Sequence, residues 1–415
     1  MNSIAMEDAL VSAFDLKNLS HDFYQDPFPT YRALREKAPI KCMPDGSFFL
    51  TRYSDCDFVY RHPKLFSSDK RTEFAPKYGN SPLFDHHTTS LVFNDPPLHT
   101  RVRRLIGGAL TPRAISEMQP GLEMLADQLL KTMAHKGGTA DLIEDYAAAI
   151  PVEVIGNLLA VPNDEREPLR QWSLDILGAL EPVVTAEAFQ RGNRSVEDFI
   201  SYLEDLIERR RANLGNPERD VLTRLIQGEG GDERLTPKEL LHNCIFILNA
   251  GHETTTNLIG NGLVVLDQHP DQKKRLLNEP ELMRSAIEEI LRYESSNQLG
   301  NRIATQEVTI AGVQLPAQAM ITVAIGAANR DPVQFSDPEK FDIGRSPNRH
   351  LAFGGGIHQC AGMNLARLEG TIAISKFLTH FPNYSVGAGL RRGGRARFRG
   401  FLSIPATLSA RLREG

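Results

Sequence analysis

From about Thr111 onward, apolar positions recur every three to four residues, the period of a helix that buries one face. Thr111-Pro112 opens one such segment and Gly137-Gly138 closes it, with proline at the first helical position and glycine past the end. Similar periodicity runs to about Ala160, and again from about Ser195 to Leu214. The clearest start is Thr236-Pro237-Lys238-Glu239, where a threonine N-cap, a proline at N1 and a glutamate three residues on make a capping box. The helix it opens is predicted to run to about Gln268, roughly 50 Å at 1.5 Å per residue, so it must cross most of the molecule and bury its middle. Strand-like text is confined to residues 48–51, 308–310 and 320–325. The pattern predicts a mainly α fold, a large helical domain with a small β-rich lobe.

Composition changes this picture little. The 415 residues carry a net charge of -5 and are 41% hydrophobic, ample for a large core. No Gly/Ser-rich linker, charge block or internal repeat intervenes, so residues 1–415 read as a single domain. Residues 1–19 are broken by Glu7, Asp8, Asp15 and Lys17, far short of the roughly 20 apolar residues of a membrane span, and a cytoplasmic protein is expected. Apart from a short arginine cluster at 391–399, expected to be a solvated loop, there is no sustained basic run. Neither nucleic acid nor a membrane surface is therefore expected as a partner. Cys42, Cys56, Cys244 and Cys360 lie far apart with no CxxC pair, which argues against a disulfide framework or a structural zinc site.

Chemistry concentrates in the run Phe353-Gly354-Gly355-Gly356-Ile357-His358-Gln359-Cys360-Ala361-Gly362, a glycine-rich loop that delivers a lone cysteine to a helix start. Glycines let the backbone approach a flat ligand, while the free N–H groups and dipole of the following helix favour a thiolate. A solitary cysteine is more often an apolar filler, so residue type alone does not decide. The whole spacing, however, resembles the haem-binding signature Phe-Gly-x-Gly-x-His-x-Cys-x-Gly of the cytochrome P450 family. The resemblance implies the cytochrome P450 fold and heme b (iron protoporphyrin IX), with Cys360 as the axial iron ligand on a loop that includes Phe353 and Gly354.

Three further motifs follow from that resemblance. Ala250-Gly251-His252-Glu253-Thr254-Thr255 resembles the family's oxygen-activation motif, and Ile247, Gly251, Thr254 and Leu258 fall on one face of the long helix. Glycine costs about 1 kcal/mol in a helix, so Gly251 needs a reason; room for dioxygen is the expected one. The resemblance gives Thr254 the hydrogen bond to oxygen and Glu253, turned about 100° around the helix, the passage of protons from solvent. Alone, the pair reads equally as a solvated glutamate and a back-bonded threonine. Glu289-x-x-Arg292 resembles the family's structural pair, completed by Arg345. For the haem propionates the resemblance nominates His99, Arg103, Arg302 and His358, with His99 and Arg103 at i, i+4 on a helix begun by Pro96 and Pro97. Arg101 and Arg104 face elsewhere, either solvated or part of a basic surface for an acidic iron-sulfur partner.

The resemblance extends from residues 26–31 to 399–401 and implies a monooxygenase: one atom of O2 enters an organic substrate and the other leaves as water. A separate ferredoxin and an NAD(P)H-dependent reductase are implied, since no fused module is seen, and a monomer is expected. Pocket lining is expected from residues 71–93, 172–189, 298–301 and 398–402, read as irregular stretches, and from the helix near Phe246 and Asn249. Asn249, Gln298 and Asn301 suggest a substrate with a polar group, or amides bonded to backbone. A peroxide-driven haem-thiolate peroxygenase and a haem-binding protein without turnover share Cys360 but do not require the Glu253–Thr254 pair. A cysteine hydrolase using His358 lacks an orienting third group.

Overall fold

Thirty-two residues, Pro237–Gln268, form the helix on which the molecule is built. Its start is the predicted capping box: Glu239 N–H donates to Thr236 Oγ1 at 3.2 Å and Thr236 N–H to Glu239 Oε2 at 2.8 Å. Nearly every residue from Leu240 to Leu266 is buried, because the helices Ala149–Leu158, Leu169–Gly178, Ala186–Ala212 and Met363–His380 pack around it. The computed structural model describes residues 3–218, 220–227 and 235–409; Met1 and Asn2 of the N-terminal reading lie outside the described residues.

Where caps are local, the predicted bounds hold. The segment from Thr111 is the helix Pro112–Lys136, with Thr111 Oγ1 accepting from Ala114 N–H and Gly137 at φ +79° beyond its end. The helix expected from Ser195 begins earlier, at Ala186, because Thr185 caps it. Helix also precedes residue 111: Leu98–Ala109 follows Pro96 and Pro97 as expected, whereas Phe28–Lys37, Tyr53–Arg61, Arg71–Tyr78 and Pro82–Thr89 were not expected. These are short, and one contains Pro76, so no long period builds up. The stretches 71–93 and 172–189, read as irregular, are therefore largely helical.

The β-rich lobe is a five-stranded sheet of β1 (Ile40–Cys42), β2 (Phe48–Leu50), β3 (Phe66–Ser67), β4 (Leu299–Ala304) and β5 (Met320–Ala324), in the order β1-β2-β5-β4-β3. β2 and β5 are parallel and the other pairs antiparallel. Val308–Ile310 pairs with Val313–Leu315 as a separate hairpin. β4 was not expected: Gly300, Asn301 and Arg302 interrupt its apolar alternation. It carries Asn301 and Arg302 toward the site described next.

Candidate functional site

The cysteine loop is shaped by glycines that no other residue could replace. Gly354 and Gly356 have φ of +64° and +65°, and a Cβ on Gly356 would lie 2.0 Å from the Tyr60 carbonyl oxygen. Cys360 N–H closes the loop on Phe353 O at 2.9 Å. Arg367 stacks over the Phe353 ring at 4.7 Å and donates to both oxygens of Glu288 at 2.6 and 2.9 Å, and His350 meets the same carboxylate at 3.1 Å. Burial pushes the Cys360 thiol up; the Gly362 N–H and the charges of Arg103 and Arg367 only partly oppose it. The N–H at the helix start does favour a thiolate, as expected, but against this burial. Desolvation outweighs it, and a cation against the sulfur is what would hold it ionised.

Beside this loop the fold gathers His99, Arg103, Arg302 and His358 from three distant segments. The His99 and His358 rings lie 4.0 Å apart. Among the described residues no side chain bonds the ring nitrogens of buried His99, which has only the Ile357 main chain beside it, and Nε2 of His358 has no partner. Arg302 is buried over the Tyr60 ring at 5.2 Å and bonds only the Asn301 carbonyl, at 2.7 Å. Burial and then the neighbouring cations push His99 down to about 4 and His358 down to about 2. The nearby Asp95 is held by Ser67 and Ser68. Buried donors without partners cost about 1–3 kcal/mol each, so the cluster fits an anion, and the two propionates of haem suit it.

On the long helix, burial is breached at one place. Ala250 is exposed and Gly251 and Thr254 are half-buried, within a helix whose flanking turns are closed. Thr254 Oγ1 donates to Ala250 O at 2.8 Å. A Cβ on Gly251 would lie 2.3 Å from Ile155 Cδ1, the end of a side chain, so the missing side chain also gives room to Ile155 of the Ala149–Leu158 helix. Glu253 points to the opposite side, buried, with Arg395 Nη1 at 2.6 Å from each carboxylate oxygen. Burial raises its pKa and Arg395 holds it back. Behind it lies a small space of about 30 Å³, lined in part by His252, Asn257, Arg170 and Arg395. Both ring nitrogens of His252 and Nδ2 of Asn257 lack protein partners, so this space is polar enough to hold water.

Other expectations are sharpened or corrected. Glu289 and Arg292 are wholly buried and joined by two bonds of 2.8 Å, with Arg345 Nε at 3.1 and 3.2 Å. The arginines of 391–399 are not a solvated loop: Arg392 and Arg399 pair with Glu294, and Arg395 with Glu253. Arg101 is not simply solvated but ion-paired with Glu239. Of the three amides, Gln298 bonds Ser295 O, Asn301 bonds Thr322 and Arg397, and Asn249 meets His86 with its Oδ1 left without a partner. Sequence reasoning missed Tyr60, Glu288, Arg367, Arg395 and Glu369, the last buried on the helix after the cysteine and pushed up to about 8 by burial. Glu288 stood beside Glu289, and Arg367 and Glu369 on the helix that follows Cys360.

A family model described as Cytochrome P450 matches residues 40–383. The chain is 36% identical over 401 residues to Vitamin D(3) 25-hydroxylase of Pseudonocardia autotrophica, covering 94% of this chain and 96% of that one. Its fold matches the crystal structure of P450BioI in complex with acyl carrier protein ligated with hexadec-9Z-enoic acid, with a TM-score of 0.88, 33% identity, and 94% and 100% of the two chains covered. It also matches the myxobacterial CYP267B1 in complex with myristic acid, with a TM-score of 0.85, 32% identity, and 94% and 98% covered. The chain belongs to the cytochrome P450 family. It is a cytochrome P450 monooxygenase whose cofactor is haem b. No helix among the described residues is long and apolar enough to cross a membrane.

Proposed function

We propose that Cys360 would ligate the haem iron, that His99, Arg103, Arg302 and His358 would hold its propionates, and that Phe353 and Gly354 shape the loop that presents Cys360. When bound, the haem supplies the redox chemistry that divides dioxygen. The rest is the work of side chains. Ala250 and Gly251 present a small surface at the breach in the long helix, where a reactant can lie against the backbone. Thr254 has its proton engaged on Ala250 O, which leaves its oxygen to accept a hydrogen bond from that space. Glu253, with the polar space behind it, takes protons from water and passes them toward Thr254.

The overall reaction takes a substrate C–H bond, O2, NAD(P)H and a proton to the hydroxylated product, water and NAD(P)+. Electrons arrive through a separate ferredoxin and an NAD(P)H-dependent reductase. The substrate is a small, largely hydrophobic molecule, in keeping with the vitamin D and fatty-acyl ligands named for the relatives. The chain acts as one domain over residues 1–415, a monomer in the cytoplasm.

The observation that carries this reading is the convergence beside Cys360 of Arg103 and Arg302 with the neutral rings of His99 and His358, where among the described residues no carboxylate comes within ion-pair distance of either arginine. Its test is the spectrum of the reduced protein with carbon monoxide. A Soret band far to the red of a histidine-ligated haem, lost in Cys360→His, is expected; a histidine-like band in fresh protein would remove Cys360 from the role.

A further inference from the structure

Most of the partly buried cations around the pocket segments are matched by a carboxylate. Arg392 and Arg399 have Glu294, Arg395 has Glu253, and Lys70 has Glu73 at 2.6 Å. Lys77 and Arg397 differ. Lys77 Nζ donates to the Glu181 carbonyl at 2.7 Å. Arg397 donates from Nε to Leu180 O at 3.3 Å, from Nη1 to Leu299 O at 2.8 Å and from Nη2 to Asn301 Oδ1 at 2.7 Å. All of these acceptors are neutral, and among the described residues no carboxylate comes within ion-pair distance of either cation.

The two cations converge, because they bond carbonyls of adjacent residues in one turn. That turn is fixed further by Tyr78, whose hydroxyl donates to Ala179 O at 2.6 Å. The nearest acid, Glu181, is occupied by the main-chain N–H groups of Ala396 and Arg397, at 2.7 and 3.2 Å. Glu181 and the Lys70-bonded Glu73 are thus two acids beside the three cations Lys70, Lys77 and Arg397, and the site carries an excess positive charge. Burial, and then Arg397, push Lys77 down to about 8, with the charges of Glu73 and Glu181 only partly opposing them.

The place is distinct from the propionate cluster. Along β4 side chains alternate, so Asn301, which Arg397 grips, points to the face opposite Arg302. It is flanked by aromatic surface: Phe74 packs on Tyr78 and Phe93 at 5.1 and 5.3 Å, and Tyr78 stacks on Phe189 at 6.4 Å. Segments from three of the expected pocket walls, 71–93, 172–189 and 298–301, thus meet Arg397 where a charged head would sit beside an apolar body.

We infer that Lys77 and Arg397 bind the carboxylate of an aliphatic acid substrate. The inference rests on the monooxygenase reading of the haem site and adds the substrate's charge and orientation: the acid end is held here, and the apolar end is presented for oxidation. Both side chains keep N–H donors unused, and a carboxylate bridging them would balance the excess charge.

The test is calorimetric titration of the haem-loaded protein with dodecanoate and with 1-dodecanol, matched in length and differing in charge. Dodecanoate is expected to bind about tenfold or more tightly than the alcohol, the worth of a hydrogen-bonded charge. Lys77→Met and Arg397→Met are each expected to remove most of that difference while leaving the alcohol's affinity within about twofold. Lys77→Met stands alone if the arginine variant does not fold. Equal affinity for acid and alcohol, no binding of dodecanoate, or equal losses for both ligands in the variants would overturn the inference. The carbon monoxide spectrum of the same samples separates this from failure of the haem reading, which would show as a missing thiolate band.

Discussion

Arg395 holds both carboxylate oxygens of Glu253 through one nitrogen, Nη1 at 2.6 Å from each, while Nη2 bonds Leu174 O at 2.9 Å. The acid on the long helix is thereby tied to a segment far along the chain. Burial raises the Glu253 pKa and Arg395 opposes it, so Arg395→Met is expected to raise it further. Product formation against pH should then reach half its maximum at higher pH than in the parent. Glu253→Gln, unable to carry a proton, is expected to slow product formation by roughly 10²-fold at all pH values. An unshifted profile in Arg395→Met would separate Glu253 from proton supply.

Thr254→Ala removes the hydroxyl that bonds Ala250 O but no buried packing, since the residue faces the breach in the helix. Haem content is expected to be unchanged. Consumption of NAD(P)H should continue, with most of the electrons appearing as hydrogen peroxide and product falling about tenfold. Peroxide and product measured per NAD(P)H consumed check this; full coupling would exclude Thr254 from the role.

What the sequence made legible was local. Thr111, Thr236 and the prolines after them announce their helices because a cap involves only four neighbouring residues. The loop of Cys360 was legible because its glycines carry a spacing that side-chain packing rarely imposes. Glu289 and Arg292 were visible as a pair, but their complete burial was not, since it depends on Asn329, Pro338 and Arg345 arriving from later segments. Arg395 was read as solvated for the same reason: its partner lies 142 residues away. Gly251 could be noticed in the sequence, whereas its neighbour Ile155, from another helix, could not.

Glu289 accepts from Arg292, Arg345, Asn348 and the Asp342 N–H, with its side chain fully excluded from water. Removing it leaves Arg292 charged, buried and without its carboxylate. Glu289→Ala is expected to cost about 3–5 kcal/mol, enough to leave little haem-loaded protein. The ratio of haem to protein absorbance after purification measures this; wild-type loading would contradict a structural role.

Gly251 offers a double-mutant test. Alanine there gains about 1 kcal/mol of helix propensity but overpacks against Ile155 Cδ1, at a cost of about 1–3 kcal/mol. Gly251→Ala is expected to lower Tm, and Ile155→Val, which deletes that methyl, to restore it in combination. Additive effects in the cycle would show that the two positions do not share the space.

Glu369 sets an expected pH dependence of stability. It is buried, with Oε1 unpartnered and Thr255 as its hydrogen-bonding neighbour, and burial pushes it up to about 8. An unfolded glutamate titrates near about 4.3, so between these values the folded state binds the extra proton. Stability from this group is fully present below the unfolded pKa and is lost as pH rises through 8, by up to about 1.4 kcal/mol per pH unit. Glu369→Gln keeps the shape and cannot ionise. Its unfolding free energy, from urea titrations at several pH values, should fall less than the parent's between pH 5 and 8. Parallel curves for the two proteins would mean that Glu369 is ionised in the folded state, with water or another group meeting its charge.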